Sequence, residues 1–385
     1  MKIAQVCYKY PPLYSGYGKQ LYKINEKGLK DFKDFSIFVL TLTPKSFETL
    51  DKSVISIRKV RSNEDINFFD SLIYSIKTFI WLIKNRKKYD VIHCLSAYFN
   101  TSIPSVLAAM ITRKQVIVKI TQAEYRRDYR SKTNPRFWLK KLRKRVVKRA
   151  NIFIAISDQI KDELILEGIS AHQIKNIPNS VDTEKYKPMK SKDEKKKRKQ
   201  QMGISENGIN LLFVGLINRR KGFYDLVNAL DTINVNKSIN VYVCGPVEDD
   251  IDKLNLKKNK KVAYHILGNV DNVLDYYQTM DVFVFPSYSE GLPNALLEAV
   301  SSGLPSVVSN IGGNTDIIKN EKNGLTFIKG DVNDLRLKIE EMINNNELRL
   351  QFANNSRKSI IRFDIKKITN QYYGLYNNVI NKKEC

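Results

Sequence analysis

The sequence Asp281-Val-Phe-Val-Phe-Pro-Ser-Tyr-Ser-Glu-Gly-Leu-Pro-Asn-Ala-Leu-Leu-Glu298 combines a strand, a loop and a helix. Residues 282–285 have the length and the β-branched and aromatic content of a buried strand, and a helix is predicted from Asn294. Two carboxylates, Glu290 and Glu298, bracket the turn. A helix N-terminus offers free N–H groups and a positive dipole end to a phosphate. An ionised carboxylate accepts hydrogen bonds from hydroxyls. The stretch therefore predicts a unit that binds phosphate and hydroxyl groups together.

The same stretch resembles the signature of the retaining glycosyltransferases with the GT-B fold, the large family 4. The resemblance lies in the string Pro-Ser-x-x-Glu-Gly-x-Pro-x-x-x-x-Glu-Ala, which begins at Pro286. In that family the first Glu binds hydroxyls of the donor sugar and the second binds the nucleotide ribose. The resemblance thus implies these roles for Glu290 and Glu298. It also implies that a donor-binding segment at the diphosphate is formed by Gly291, Leu292, Pro293 and Asn294.

The length and the element pattern predict two α/β domains. A chain of 385 residues suits two domains of about 200 residues or fewer, and both halves alternate strand and helix as doubly wound sheets do. The resemblance implies the GT-B arrangement, in which two Rossmann-like domains face each other across a cleft. We expect an N-terminal acceptor-side domain at 1–182, a basic linker at 183–208, a nucleotide-sugar-binding domain at 209–358 and a helix at 359–385 that crosses back.

The formal net charge is +25, which calls for a polyanionic partner such as nucleic acid, anionic lipid or a phosphate-bearing substrate. The four cysteines lack metal or redox spacing, which favours a reducing cytoplasm. Residues 91–112 contain no Asp, Glu, Lys or Arg, yet they divide into strand, loop and helix, so no membrane span is predicted. The short apolar run at 3–7 is read as a first strand and not as a signal peptide.

The first half carries the acceptor-side candidates. Residues 10–18, Tyr-Pro-Pro-Leu-Tyr-Ser-Gly-Tyr-Gly, resemble the family's first loop, where a glycine pair touches the donor diphosphate. Ser15 replaces the first glycine, so the resemblance assigns this contact to Gly16, and a turn without a ligand remains the alternative. A dinucleotide motif would need a glycine where Leu21 stands.

Two further residues of the first half are catalytic candidates. In many family members the strand that resembles 116–120 ends in a His near the reacting carbon. Thr121 stands at that place here, as it does in some relatives, and is the candidate on the acceptor side. His93, at another predicted strand end, has either a catalytic or a structural role.

Two segments of the first half have the residue pattern of amphipathic helices. Residues 68–83 show the spacing of one helix face, with apolar residues at Leu72, Ile73, Ile76, Phe79, Ile80 and Ile83. Residues 126–149 are dense in Lys and Arg, with Phe137 and Trp138 among them. This composition is typical of a helix at a membrane surface, and a solvated charged helix with an ordinary packed stripe is the alternative.

The second half carries the candidates for the leaving group and the nucleotide. Gly215-Leu-Ile-Asn-Arg-Arg-Lys-Gly222 resembles a family loop in which Arg and Lys neutralise the leaving diphosphate. Lys221 matches, Leu216 stands at the Arg position, and Arg219 or Arg220 is the candidate substitute. An exposed lysine before a helix is the structural alternative for Lys221. The resemblance adds three backbone contacts to the donor, at Gly215, Asn269 and Val270.

The sequence as a whole predicts a retaining glycosyltransferase that uses a nucleotide-sugar, expected to be UDP-linked. The resemblance implies front-face attack within an ion pair. No cofactor and no metal are expected, because Lys221 and a helix N-terminus supply positive charge and the Asp-x-Asp at 250–252 is read as an exposed loop.

The predicted acceptor is lipid-linked or a glycan of bacterial surface polysaccharide, handled at the inner face of the cytoplasmic membrane through an anionic surface. A nucleic-acid-binding protein and a sugar-nucleotide epimerase of similar fold are the alternative functions. The basic residues follow no known nucleic-acid-reading motif, so no nucleic-acid partner is predicted. The oligomeric state stays open.

Overall fold

The structure is a computed structural model that describes residues 1–13, 15–45, 53–60, 66–122, 137–249, 256 and 258–381, without the side chains of 137–140. The chain forms two compact units. The first comprises Met1–Asn179 and Ile365–Cys385, and the second comprises Ser180–Asp364. The predicted linker, residues 183–208, is grouped with the second unit.

The first unit is a seven-stranded parallel sheet in the order β3-β2-β1-β4-β5-β6-β7. Its elements up to the crossover are β1 Lys2–Lys9, α1 Gly16–Asp31, β2 Ser36–Pro44, β3 Val54–Val60, α2 Phe68–Lys84, β4 Val91–Cys94, α3 Phe99–Thr112, β5 Gln115–Ile120, α4 Phe137–Val147, β6 Ile152–Ala155, α5 Asp158–Leu166 and β7 Ile174–Asn176. Strands β1 and β4 are buried along nearly their whole length, as is usual for the central strands of a parallel sheet.

The second unit is a six-stranded parallel sheet in the order β10-β9-β8-β11-β12-β13. Its elements are α6 Lys192–Gln201, β8 Ile209–Val214, α7 Phe223–Asp231, β9 Ile239–Cys244, β10 Val262–Gly268, α8 Val273–Thr279, β11 Val282–Phe285, α9 Asn294–Ser301, β12 Ser306–Ser309, α10 Gly312–Thr315, β13 Leu325–Phe327, α11 Val332–Asn344 and α12 Asn346–Ser359. Helix α6 is held in this unit by Lys195 and Lys199, whose Nζ atoms each lie 3.2 Å from Asp281 Oδ1.

The last helix belongs to the first unit. The single helix predicted after residue 359 consists of a short 3₁₀ turn, Ile360–Phe363, and α13, Ile365–Asn381. Asp364 separates them because its backbone is extended and its Oδ2 accepts a hydrogen bond from Thr183 Oγ1 at 2.5 Å. Helix α13 packs on α1 and buries its apolar side in the core of the first unit.

Strand order explains where a site is to be expected in each sheet. The winding direction reverses between β1 and β4 in the first sheet and between β8 and β11 in the second. Loops that leave the carboxyl ends of two such strands turn to opposite faces, and ligands of open α/β sheets bind in the crevice between them. The loops after β8 and β11 carry the motifs of residues 215–222 and 286–298.

One predicted helix of the first unit has an exposed apolar side. Helix α2 forms as predicted, but the side that carries Leu72, Ile76 and Ile80 is exposed, and its buried side carries Tyr74 and Leu82. The 3.6-residue period identifies the helix correctly but does not decide which side packs, because α2 is apolar on several sides. In the parts of the chain that the structure describes, no helix is both long enough and apolar enough to cross a membrane.

Candidate active site

The loop after β8 is shaped by a cap and a glycine. Asn218 Oδ1 accepts a hydrogen bond from Lys221 N at 2.9 Å and so caps the 3₁₀ turn Arg219–Lys221. Gly222 ends this turn at φ +74°, and a Cβ there would lie 2.0 Å from Pro286 O. A side chain at Gly222 is therefore excluded both by backbone strain and by the close approach of the β11 loop. This contact fixes Lys221 beside the loop that follows β11.

Lys221 and Glu290 form a largely buried ion pair. Lys221 Nζ lies 2.7 Å from Glu290 Oε1, and the two side chains are 15% and 11% exposed. Ser287 Oγ donates to the same oxygen at 2.7 Å. The Lys221 ammonium also lies 5.3 Å from the centroid of the Phe285 ring. The pair places a cation and a carboxylate, both firmly held, at the carboxyl end of β11.

The two arginines of the loop have different neighbours. Arg220 Nη1 lies 3.8 Å from Glu290 Oε1 and donates to Ser289 O at 3.2 Å. The Arg219 guanidinium instead lies 5.2 Å from the centroid of the Tyr224 ring. Leu216, at the position where the family has Arg, is half-buried. Arg220 is therefore the arginine beside the Lys221–Glu290 pair.

Glu298 lies one turn into α9 and is buried, with 8% of its surface exposed. Burial, the charge of Glu298 and a hydrogen bond to its carboxylate together raise the pKa of Tyr186 above its ordinary value. Tyr186 Oη thus donates a hydrogen bond to the Glu298 carboxylate. Tyr186 has no motif around it, and no pattern in the sequence indicated this contact.

The segment between the two glutamates packs against α10. Gly291, Leu292 and Pro293 are buried, and Asn294 is half-buried at the first position of α9. A Cβ on Gly313, at the start of α10, would lie 2.5 Å from Gly291 O, so the glycine lets α10 approach the segment closely. The backbone of this turn is therefore held in place by a neighbouring element.

The remaining predicted donor contacts lie along the same edge of the second sheet. Gly215 follows β8 directly and is half-buried, with φ +150°. Asn269 is exposed and Val270 half-buried just after β10. Because all strands of this sheet are parallel, the ends of β8, β10 and β11 lie at one edge, and the structure brings these residues to the edge that carries Glu290.

In the first unit, Gly16 begins α1 and Thr121 follows β5, so both lie at the carboxyl edge of its sheet. Ser15 caps α1 by accepting from Gly18 N at 3.0 Å, and it donates to Lys9 O at 2.6 Å. A Cβ on Gly18 would lie 2.0 Å from Lys9 O. Gly18, which had no predicted role, is therefore the glycine that this turn requires.

His93 lies in the interior of the first unit. It is fully buried on β4, and its Nδ1 lies 2.7 Å from Tyr376 Oη of α13. Burial, together with the charge of Lys119, lowers the pKa of His93 to about 3. A neutral, enclosed imidazole of this kind supports a structural role and leaves Thr121 as the acceptor-side candidate.

Two sequence-based expectations extend beyond the described residues. The Asp-x-Asp at 250–252 and the part of the basic stretch at 126–136 lie outside them. The described part of the basic stretch forms α4, where Leu142 is 54% exposed, Val147 is buried and Lys144 pairs with Glu167. Among the side chains that the structure describes, no group of three or more His, Cys, Asp or Glu is placed to hold a metal ion.

Comparison with known proteins identifies the family. The model for glycosyltransferase family 4 matches residues 33–185, and the model for glycosyl transferases group 1 matches residues 194–359. The chain is 26% identical over 365 residues to the capsular polysaccharide biosynthesis glycosyltransferase CapM of Staphylococcus aureus, covering 91% of this chain and 92% of CapM. It is 29% identical over 323 residues to the UDP-Gal:alpha-D-GlcNAc-diphosphoundecaprenol alpha-1,3-galactosyltransferase of Escherichia coli, covering 81% and 82%.

A solved structure agrees in fold. The crystal structure of Anabaena Alr3699/HepE in complex with UDP-glucose superposes with a TM-score of 0.76 at 20% identity, covering 98% of this chain and 100% of that one. Together these findings confirm the family predicted from residues 281–298. The chain belongs to the family 4 glycosyltransferases and has the GT-B fold.

Proposed function

We propose that this enzyme is a retaining glycosyltransferase that moves a sugar from a UDP-linked donor to a lipid-linked or glycan acceptor in bacterial surface-polysaccharide synthesis. The observation that carries the proposal is the Lys221–Glu290 pair, at 2.7 Å, with Arg220 beside it at the reversal of strand order in the second sheet. The donor and acceptor classes are those of the named relatives: one uses UDP-Gal and a diphosphoundecaprenol-linked sugar, and one makes capsular polysaccharide.

The reaction needs positive charge near the diphosphate of the donor. When the bond between the anomeric carbon and the diphosphate oxygen is cleaved, negative charge grows on the diphosphate. Preorganised cations and N–H groups that face this charge lower the barrier. Lys221 and Arg220 supply the cations, and the start of α9, from Asn294, supplies N–H groups. The leaving UDP is thereby stabilised by the second unit.

The two glutamates divide the recognition of the donor. The contacts of Lys221 and Ser287 with Glu290 go to Oε1, so we assign Oε2 as the acceptor for a hydroxyl of the donor sugar. Glu298, held by Tyr186, accepts from the ribose. Asn269 and Val270 meet the base through their backbone. Thr121 is assigned to the acceptor side, and front-face attack retains the configuration.

Metal independence is part of the proposal. Protein cations take the place that a divalent ion would otherwise have at the diphosphate, so turnover should persist in excess chelator. Turnover that is abolished by chelator and restored by magnesium or manganese would contradict this part. The transfer reaction itself would still stand.

We place the enzyme peripherally at the inner face of the cytoplasmic membrane, where a lipid-linked acceptor is held. The described end of the basic stretch supports this, since Lys141, Arg145, Lys148 and Arg149 are exposed on or just after α4. Each basic residue near an anionic surface contributes about 1 kcal/mol to binding, and salt weakens the attraction.

The test of the reaction has two steps. A thermal-shift screen of nucleotide-sugars identifies the donor, because a bound ligand raises stability by mass action. The donor is then incubated with a diphosphoundecaprenol-linked sugar, and the anomeric configuration of the product is read by NMR. Transfer with the donor's configuration kept is the expected result. An inverted product would contradict retention, and epimerised donor formed without acceptor would favour an epimerase instead.

A further inference from the structure

Helix α2 exposes an apolar side. Its exposed large side chains are Phe68, Phe69, Leu72, Ile76 and Ile80, with Phe69 71% and Ile76 52% exposed. These positions repeat at nearly four-residue intervals, so they line one side of about three turns, roughly 18 Å long. A surface helix normally turns charged and polar residues to this side.

Helix α3 continues the same surface. Its exposed large side chains are Phe99, Leu107, Met110 and Ile111, with Ile111 64% exposed. The two helices pack on each other, and the rings of Phe68 and Phe99 lie 6.0 Å apart. We call the exposed apolar residues of α2 and α3 the apolar face. Large contiguous patches of this kind mark interaction sites.

The border of the apolar face is cationic. Exposed basic residues lie along and after both helices and on α4, which packs on α3. They are Lys77, Lys84, Arg86, Lys87, Lys88, Arg113, Lys141 and Arg145. Two acids occur in residues 66–122 and both are engaged in the fold: Asp70 Oδ1 lies 3.0 Å from Arg58 Nη2, and Asp90 Oδ2 accepts from Lys2 N at 2.9 Å.

We infer that the apolar face docks on an anionic lipid bilayer, with its apolar side chains in the interfacial region and its cations at the lipid phosphates. This inference rests on the proposed function for the lipid-linked acceptor. An apolar side with a basic border is the combination that holds a helix in the plane of such an interface. A second copy of the chain would set one cationic border against another, and like charges across an interface oppose association.

Docking in this way would orient the first unit. In a parallel sheet each helix starts at the carboxyl edge of the preceding strand, so Phe68, Phe69, Tyr98 and Phe99 lie at that edge. Gly16 and Thr121 lie at the same edge. The aromatic end of the apolar face therefore brings the acceptor-side edge to the depth at which a lipid-linked diphosphate and its sugar are held.

The test compares two triple variants of the full chain in sedimentation with vesicles. The vesicles contain phosphatidylglycerol and phosphatidylcholine in equal parts, or phosphatidylcholine alone. The test variant is Leu72→Gln/Ile76→Gln/Ile80→Gln, with parent side chains 41%, 52% and 43% exposed. The control is Leu337→Gln/Leu350→Gln/Ile361→Gln in the second unit, with parent side chains 46%, 51% and 48% exposed.

We expect the wild type and the control to bind the anionic vesicles, and the test variant to bind at least about tenfold more weakly. Equal binding by test variant and wild type, or no binding by the wild type, would overturn the inference. So would a wild-type dimer, seen by light scattering, that the test variant dissociates. All three proteins should glycosylate a short-chain, water-soluble acceptor analogue equally. Failure of all three there would count against the proposed function and not against docking.

A second measurement decides the matter if the test variant does not fold. Phe69→Trp places a fluorophore at the most exposed position of the face. Brominated phosphatidylglycerol vesicles should quench its emission beyond the level that the wild-type tryptophans show. Absence of the added quenching would overturn the inference.

Discussion

The two sheets have the same pattern of strand order, but they differ in the charged residues at their carboxyl edges. At the carboxyl edge of the second sheet, Lys221, Arg220 and Glu290 form a charged group fixed by short contacts. At the corresponding edge of the first sheet, the site candidates Gly16 and Thr121 are uncharged. The fold alone therefore does not determine the chemistry. The difference in charge supports the proposal that the second unit supplies the electrostatics of the reaction.

The first unit also contains a lysine in its core. Lys119 on β5 is fully buried, its Nζ donates to Asn179 Oδ1 at 3.2 Å, and it lies 5.5 Å from the centroid of the Tyr372 ring. Burial lowers the pKa of Lys119 to about 7. This lysine links β5 to the end of the first unit's N-terminal segment and to α13, which is a structural task.

The largest expected effect comes from removing the cation of the second unit. Lys221→Ala should lower kcat by about 100- to 1,000-fold, because the charge on the leaving diphosphate loses a preorganised partner. Steady-state kinetics with saturating donor measure this. Lys196→Ala, at an exposed lysine of the same unit, is the control and should leave kcat nearly unchanged. A fully active Lys221→Ala enzyme would mean that the two sheets do not differ in the way proposed.

The second largest effect is expected from Glu298→Ala. We expect KM for the nucleotide-sugar to rise about 10- to 100-fold, as befits a lost hydrogen bond to a charged group, while circular dichroism shows an intact fold. Tyr186→Phe is the matched control: it removes the hydroxyl that holds Glu298 but keeps the carboxylate, so its KM should change much less. An unchanged KM in Glu298→Ala would refute the ribose assignment.

Replacing one glycine by alanine in each unit compares the effects of the two substitutions on the free energy of unfolding. Gly222→Ala should destabilise by roughly 2–3 kcal/mol, because its Cβ meets Pro286 O at φ +74°. Gly374→Ala in α13 has open space around its Cβ and should stabilise by about 0.5–1 kcal/mol. Thermal unfolding of both variants gives the comparison. Equal shifts would show that the contact between the β8 and β11 loops is not what makes Gly222 necessary.

The smallest expected effect concerns Lys119. Between pH 7 and about pH 10 the unfolded lysine, with an ordinary pKa near 10.5, holds a proton that the folded one lacks, so this residue makes stability rise with pH. Lys119→Met loses this contribution. From pH 7 to pH 8 the wild type should therefore gain about 1 kcal/mol relative to the variant. Thermal unfolding of both proteins at each pH measures this difference. If the difference in stability between wild type and variant stays constant from pH 7 to pH 8, Lys119 remains protonated in the core.

The second unit could be predicted from the sequence in some detail. Strand β11 has the predicted bounds, Val282–Phe285, and α9 begins at Asn294 as expected. Strand β11 is buried on both sides, so its apolar run is continuous and ends abruptly at a turn residue. The lysine of the β8 loop could also be located, because it stands in a specific string.

Other features depend on contacts between distant parts of the chain. The choice of Arg220 over Arg219 follows from the Asn218 cap and from the close approach of Gly222 to Pro286. Neither is visible from residue spacing. The burial of His93 depends on Tyr376, which is 283 residues away along the chain. Which side of α2 packs on the core could not be predicted, because an apolar stripe has the same period whether it meets the core or a partner.

The most direct test of the account is calorimetric binding of UDP and of the UDP-sugar to Lys221→Met and Glu290→Gln. Lys221 is assigned to the diphosphate and Glu290 to the sugar, which only the second ligand carries. We therefore expect Lys221→Met to weaken both ligands, whereas Glu290→Gln should weaken the UDP-sugar by about tenfold or more and leave UDP within about twofold. If Glu290→Gln weakens UDP and the UDP-sugar equally, or neither, the proposed division of the donor site is wrong.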